Sequence, residues 1–174
     1  MHAATSKSRA AALPALLAGL QSGMTGALCM LAWLGIVAEW QQRNFWIPAN
    51  LMASAFYGAR SIHSGFASET ISGLAVYVML YSLLGALLAA VLRDKLGRGR
   101  TVLVAMALAL VWYYLSFRLL WKSVMPLVAL LHVERATLFG HLIYGAILGG
   151  YPAHLPQAER IEDEPPADAS DEIS

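Results

Sequence analysis

Long apolar runs without a single charged residue dominate this sequence and limit the folds that it can adopt. Residues 10–38 and 70–92, for example, contain no Asp, Glu, Lys or Arg. Only 13% of the 174 residues are charged, whereas a soluble domain averages about 25%. Because a bilayer core requires about 20 apolar residues per helix, the pattern predicts an all-α polytopic membrane protein. The net charge of +1 offers no basic face for nucleic acid, so the lipid bilayer is the expected partner.

The apolar runs predict a transmembrane four-helix bundle over residues 13–152, preceded by a cytoplasmic N-terminal segment over residues 1–12. We expect the spans at about residues 13–38, 71–92, 101–120 and 136–151. The fourth is the weakest, because sixteen residues rise only about 24 Å at 1.5 Å each. A hydrocarbon core is about 30 Å thick. A short span therefore requires a thinned bilayer or neighbouring helices that cover its ends.

Charge in the connecting segments predicts the orientation. The segment RDKLGRGR, residues 93–100, holds four of the twelve Lys and Arg residues, and short loops rich in these residues remain in the cytoplasm. Four spans then place both termini in the cytoplasm. The acidic segment over residues 153–174 buries too little apolar surface to fold alone. We interpret it as a disordered, solvated tail, with a docking peptide for a basic partner as the alternative.

The two external connections each combine aromatic residues, a proline and a short apolar run. In the first, NFWIPANLMASAFYG (residues 44–58), the run is too short to cross a bilayer. We predict a helical elbow that lies flat in the membrane interface with its apolar face down, and a similar elbow after the third span. Aromatic side chains favour the headgroup level, so the expected interfacial anchors are Trp40, Phe45, Trp46, Pro48 and Trp121.

A tyrosine follows a glycine by four residues in both GLAVY (residues 73–77) and GHLIY (residues 140–144). Each of these segments follows an elbow. The similarity favours a 2+2 repeat, in which two copies of a span, elbow, span unit run parallel about an axis along the membrane normal.

Ionisable residues near the external ends of the spans are the candidates for a functional site. His141 is the only His, Lys or acidic residue inside a predicted span, and such residues are functional hypotheses by default. A neutral imidazole bonded to a neighbouring helix is a sufficient structural alternative. The topology places His141 with His63, Glu69, Arg118 and Glu134 around an outward-facing polar pocket. Arg118 either snorkels to the headgroups or pairs with one of the two carboxylates.

The histidines and the single cysteine do not form a pattern that holds a metal or a haem. No two histidines have the i, i+3 or i+4 spacing typical of a zinc site on a helix. A b-type haem would require two axial ligands at matching depth, and His132 lies nine residues from His141. We therefore predict no metal and no cofactor. No nucleophile motif or paired-carboxylate spacing occurs, so no catalytic residue is assigned.

Small residues mark the helix faces that can approach closely. Gly19 and Gly23 form a GxxxG pattern in the first span, Gly145 and Gly149 form another in the fourth, and Gly85 lies among small residues of the second. Such positions let two helix backbones pack against each other. The pattern does not distinguish packing within one chain from packing between copies or with other membrane proteins.

Two segments resemble a loosely defined set of uncharacterised bacterial inner-membrane proteins with four spans. They are FWIPANLMA (residues 45–53), which has the form FW-x-P-x-N-L-x-A, and HLIYGAILG (residues 141–149), which has the form H-L-x-Y-G-x-x-L-G. The resemblance implies a four-span fold in the bacterial inner membrane and no particular activity. Members of the set often carry a second histidine in the second span, and this sequence has none there.

Three functions agree with these features. The first is a non-enzymatic structural or accessory subunit that packs with other membrane chains through its glycine faces. The second is a small homo-oligomeric transporter or channel that uses His141 and Arg118. The third is a protein that handles lipid or quinone in a pocket shaped by the elbows.

Overall fold

A computed structural model describes residues 2–92 and 97–150, and within these ranges it contains helices and no β-strand. The helices are α1 (His2–Trp40), α2 (Ile47–Tyr57), α3 (Ser68–Leu92), α4 (Arg98–Leu115), α5 (Trp121–Val124), α6 (Pro126–Leu131) and α7 (Glu134–Leu148). A 3₁₀ helix, Gly58–His63, follows α2, and a π-helical turn, Ser116–Leu120, joins α4 to α5. The acidic tail and part of the basic segment 93–100 lie outside the described residues.

Among the described residues, three helices are long and apolar enough to cross a membrane, over Leu13–Trp40, Ser68–Leu92 and Gly99–Val124. They coincide with the first three predicted spans. Helix α1 begins at His2, so Pro14 lies inside it rather than in its opening turn. Helix α7 has only 15 residues and rises about 22 Å. It begins two positions before the predicted fourth span, and the expected end at Tyr151 lies outside the described residues.

The long helices pack side by side in the order α3, α1, α7, α4. Helix α3 runs antiparallel to α1, because Gly19 lies against Ala89 and Gly23 lies against Tyr81. Helix α7 runs antiparallel to α1 as well, and the indole N–H of Trp33 donates to the Ala136 carbonyl at 3.0 Å. The early part of α4 lies beside the end of α7. Neighbouring helices in this row therefore run in opposite directions.

Helix α2 packs into the bundle and does not lie flat on it as predicted. Residues 49–53 are all buried, and a side chain on Gly73 of α3 would collide with the carbonyl oxygen of Ala49. The Asn50 amide donates to the carbonyl oxygens of Ser64 and Gly65 at 2.8 and 3.2 Å. An apolar run suits a membrane interface and a protein core equally well, so hydropathy alone could not separate the two.

The second connection folds differently from the first. Helices α5 and α6 form a bent pair, and α6 packs against α5 and α2, whereas α2 packs along α3. Both α2 and α6 begin with a proline in the first turn, where the missing N–H costs no helical hydrogen bond. Because the two short helices contact their neighbours in different ways, they lend no support to the 2+2 repeat. The repeat remains a prediction.

Candidate functional site

The five residues of the predicted polar pocket do not form one cluster. Glu69 pairs with Arg60 at the start of α3, with 3.8 Å between Oε1 and Nε. His63, Arg118 and Glu134 are exposed, whereas His141 is fully buried. Within the described part of the chain, the polar and aromatic contacts of His141 involve none of the other four residues. His141 therefore lies buried inside the bundle, apart from the four residues with which we expected it to line an open pocket.

Two hydrogen bonds fix the imidazole of His141. Nδ1 lies 2.8 Å from the Thr137 carbonyl oxygen, which can only accept, so this nitrogen carries the proton. Nε2 of the neutral ring then accepts from the Tyr81 hydroxyl at 2.9 Å. The Tyr113 ring lies 5.2 Å away, centroid to centroid. With both nitrogens engaged and no exposed surface, this arrangement corresponds to the structural alternative, a histidine bonded to a neighbouring helix.

A further hydrogen bond joins the helices that carry His141 and Tyr81. The Tyr144 hydroxyl donates to the Tyr81 carbonyl oxygen at 2.7 Å, which ties α7 to α3. The Tyr77 ring lies 4.7 Å from that of Tyr81. The Tyr77 hydroxyl lies near the Tyr81 side chain, but among the described residues it has no hydrogen-bond partner of good geometry. A buried donor without a partner is costly, and the Tyr77 oxygen is enclosed by protein atoms with almost no accessible surface.

A cavity of about 70 Å³ opens next to Tyr77 and Tyr81. It is partly open, and helices α2 and α6 close it on two sides. Its apolar walls come from five helices and the π turn; the larger side chains are Met30, Leu34, Val37, Ile47, Leu51, Met52, Phe117, Trp121, Val128 and Leu131. The space is about half of the ~150 Å³ that encloses a benzene molecule in an engineered apolar cavity.

Few polar residues line the cavity. Arg43 and Gln41 come from the end of α1, His132 from the end of α6 and Thr137 from α7. Nδ1 of His132 lies 2.9 Å from the Ala129 carbonyl oxygen and donates to it. The ring of His132 packs against Phe117 at 4.0 Å between centroids. The polar groups thus form a small part of a predominantly apolar surface, which is typical of ligand pockets.

The π turn at Ser116–Leu120 orients two of the aromatic walls. A π turn inserts an extra residue into a helix and rotates the positions that follow, and such turns occur frequently at functional sites. Phe117 and Trp121 both line the cavity. Trp121 is only 4% exposed, so it is part of the core and not the interfacial anchor that we predicted. Trp40, in contrast, is 72% exposed, and Phe45, Trp46 and Pro48 are half-buried.

The small-residue positions lie at contacts within the chain. A Cβ on Gly85 would lie 2.7 Å from the Gly23 Cα, and one on Gly145 would lie 2.6 Å from the Met106 Cα. Gly149 lies similarly close to Val102, and Gly19 to Ala89. The backbones of α1 and α3 and of α4 and α7 therefore touch at these glycines, which leaves these faces covered in a single copy.

The model of a family of unknown function, DUF6789, matches residues 13–163. The chain belongs to this family. The matched range contains all the residues that line the cavity, and the family description names no activity. No curated protein and no solved structure matches the chain significantly.

The sequence alone did not single out most of the residues that line the cavity of this DUF6789 member. A signal was present, because Tyr77 and Tyr81 are four residues apart, as are Phe117 and Trp121. Residues at this spacing share one face of a helix. An aromatic pair on one face is equally typical of a core, so spacing alone could not show that two such faces enclose a cavity.

Proposed function

We propose that this chain is a lipid-handling membrane protein that takes part of an acyl chain into the cavity between α2 and α6. One observation carries the proposal: the two short helices that connect the spans close a partly open, predominantly apolar cavity. Lipid would enter along an apolar surface that continues from the bilayer. The protein would then present or bind the lipid without reacting with it.

The volume of the cavity favours a chain over a ring. A volume of about 70 Å³ holds a narrow alkyl segment, whereas a benzene-sized ring occupies a cavity of about 150 Å³. An acyl chain therefore suits this space better than a quinone ring. Because the chain is already in an apolar phase in the bilayer, its retention depends on van der Waals contact with the cavity walls and not on transfer out of water.

The other two functions have less support. The subunit hypothesis relied on free glycine faces, and the close contacts of Gly23 and Gly145 lie within the chain. The transporter hypothesis relied on His141 and Arg118 sharing a path. His141 is enclosed with both nitrogens bonded, and Arg118 is exposed. Neither residue lines the cavity in the described part of the structure.

The proposal includes four crossings of a bacterial inner membrane, with both termini in the cytoplasm. Its support is the position of α7, whose last residues lie against Val102 near the start of α4. The short α7 is covered by α1 and α4, which is the condition for a short span to persist. Reporters fused after Gly97 and after Gly150 should both be cytoplasmic. A periplasmic reporter at either position would contradict this topology.

A photoactivatable fatty acid tests the lipid-handling function. The purified protein in mild detergent is incubated with a fatty acid that carries a diazirine on its chain, irradiated, and mapped by peptide mass spectrometry. We expect labelling at Met52, which lines the cavity and is 4% exposed. Phe56 on the same helix is 67% exposed and reports labelling by bulk amphiphile.

Two matched variants of α1 complete this experiment. Leu34→Trp adds bulk to a side chain that lines the cavity, and Leu28→Trp makes the same change at a side chain that is 46% exposed. Labelling at Met52 should fall to background in the first variant and remain at the wild-type level in the second. Equal labelling of Met52 in both variants, or labelling confined to Phe56, would refute the proposal.

A further inference from the structure

Arg43 brings a positive charge to the wall of the cavity without a matching carboxylate. The residue is half-buried, and the described lining residues include no Asp or Glu. The ion pair found in the described part of the chain joins Arg60 to Glu69 and does not involve Arg43. A half-buried guanidinium beside an apolar surface is stabilised when an anion pairs with it.

The local backbone holds Arg43 in this place. Helix α1 ends with the N–H of Arg43 bonded to the Ala38 carbonyl at 2.9 Å and the N–H of Gln42 bonded to the Glu39 carbonyl at 2.9 Å. This pair of bonds is the Schellman motif. It requires a left-handed residue, and Gln42 takes that conformation with φ of 57°, although glycine adopts it at lower cost. The left-handed turn at Gln42 ends α1 and is followed directly by Arg43, which lines the cavity.

A further hydrogen-bond donor lines the cavity. Gln41 precedes the left-handed residue Gln42 and lines the cavity with Arg43. A guanidinium and an amide N–H group suit a ligand group that is rich in acceptor oxygens. Carboxylate and phosphate groups match a guanidinium with two parallel hydrogen bonds.

We infer that the cavity selects a single-chain amphiphile with an anionic oxygen head group, a carboxylate or a phosphate, which Arg43 binds. This inference rests on the lipid-handling function proposed above and specifies its ligand. The head group lies against Arg43 at the end of α1, and the first part of the chain occupies the apolar space between α2 and α6. Two sources supply this chemistry: a free fatty acid and a phosphate-bearing lipid with one chain.

Three probes with the same diazirine chain and different head groups test the inference: a carboxylic acid, a phosphate monoester and an alcohol. Each is titrated against the wild-type protein, and labelling at Met52 is measured. We expect the half-saturating concentration of at least one anionic probe to be about tenfold lower than that of the alcohol, which corresponds to 1.4 kcal/mol. A preference for the acid identifies a fatty acid as the source, and a preference for the monoester identifies the phosphate lipid.

Variants at two arginines show whether Arg43 causes this preference. Arg43→Gln should lose the preference for the anion and retain labelling by the alcohol, which also shows that the cavity is intact. Arg43→Lys keeps the charge without the two-pronged geometry and should retain part of the preference. Arg60→Gln removes an exposed arginine that does not line the cavity and should behave as the wild type.

The failures of the two proposals are distinguishable. Equal labelling of Met52 by all three probes in the wild type overturns the anion selectivity and leaves lipid handling intact. An anion preference that survives in Arg43→Gln overturns the role of Arg43. If none of the three probes labels Met52, the lipid-handling function itself is refuted.

Discussion

A methyl group added at Gly85 tests the central helix contact of this fold. An ideal Cβ at this position would lie 2.5 Å from the Gly19 carbonyl oxygen and 2.7 Å from the Gly23 Cα. Both neighbours are backbone atoms of α1, so neither can rotate away. Ordinary contact begins at 3.4 Å, and the helices would have to separate by several tenths of an ångström along this face.

The free energy of this change has two opposing parts. Replacing glycine with alanine inside a helix stabilises it by up to about 1 kcal/mol. Overpacking of a tightly packed contact costs about 1–3 kcal/mol, and here the colliding atoms belong to rigid backbone. We expect Gly85→Ala to lower the free energy of unfolding by about 1 kcal/mol or more, in spite of the gain in helix propensity.

Gly99 in the first turn of α4 is the matched control. No atom lies within 4 Å of a Cβ at this position, so only the propensity gain applies. Gly99→Ala should leave the free energy of unfolding unchanged or raise it by up to about 1 kcal/mol. Both variants are compared with the wild type by titration of sodium dodecyl sulfate into a mild detergent, with far-ultraviolet circular dichroism as the readout.

Two results would contradict the predicted backbone contact between α1 and α3 at Gly85. If Gly85→Ala is as stable as Gly99→Ala, then α1 and α3 are not in backbone contact at this glycine. If Gly85→Ala unfolds like the wild type but changes the mass of the particle in native mass spectrometry, the glycine face joins copies of the chain instead of helices within one chain.

Three further substitutions test other parts of the structure. Gln42→Gly should raise the melting temperature. A left-handed conformation, which Gln42 adopts at φ of 57°, costs a residue with a Cβ about 1–2 kcal/mol, and the greater entropy of glycine in the unfolded chain offsets about 0.5–1 kcal/mol of the gain. An unchanged or lower value would contradict the strained turn. Tyr81→Phe should lower the free energy of unfolding by about 0.6–2 kcal/mol, since the Tyr81 hydroxyl donates to the histidine of α7. Equal stability of Tyr81→Phe and the exposed control Tyr114→Phe would exclude that hydrogen bond. Asn50→Leu should speed trypsin cleavage after Arg60, because the segment that follows α2 loses the two hydrogen bonds that its carbonyl oxygens accept from the Asn50 amide. A wild-type cleavage rate would show that these bonds do not hold the segment in place.

Hydropathy determined the helical spans because it depends on length and composition alone. The three long spans required only a run of apolar residues longer than the bilayer is thick, and the chain has such runs at α1, α3 and α4. Helices α2 and α6 each begin with the proline of a predicted elbow. The glycines of the two GxxxG patterns lie where helix backbones approach closely, because a missing side chain permits such contacts.

The candidate site could not be predicted to the same extent. His141 attracted attention as an ionisable residue in a span, but its burial depends on which helices face it, and periodicity carries no information about partners. Arg43 was overlooked because it stands in a connecting segment. Its significance comes from a strained turn at Gln42, and the left-handed conformation there has no signal in a sequence without glycine at that position.

The sequence alone predicts that this chain forms apolar helices of membrane-spanning length, because the hydropathy of a segment is the sum of the contributions of its residues. Only the tertiary structure decided that α2 enters the bundle, that Trp121 belongs to the core, and that a cavity remains beside Tyr77. Such features depend on how surfaces from distant parts of the chain fit together. Packing is a property of pairs of surfaces, and one-dimensional hydropathy describes each surface alone.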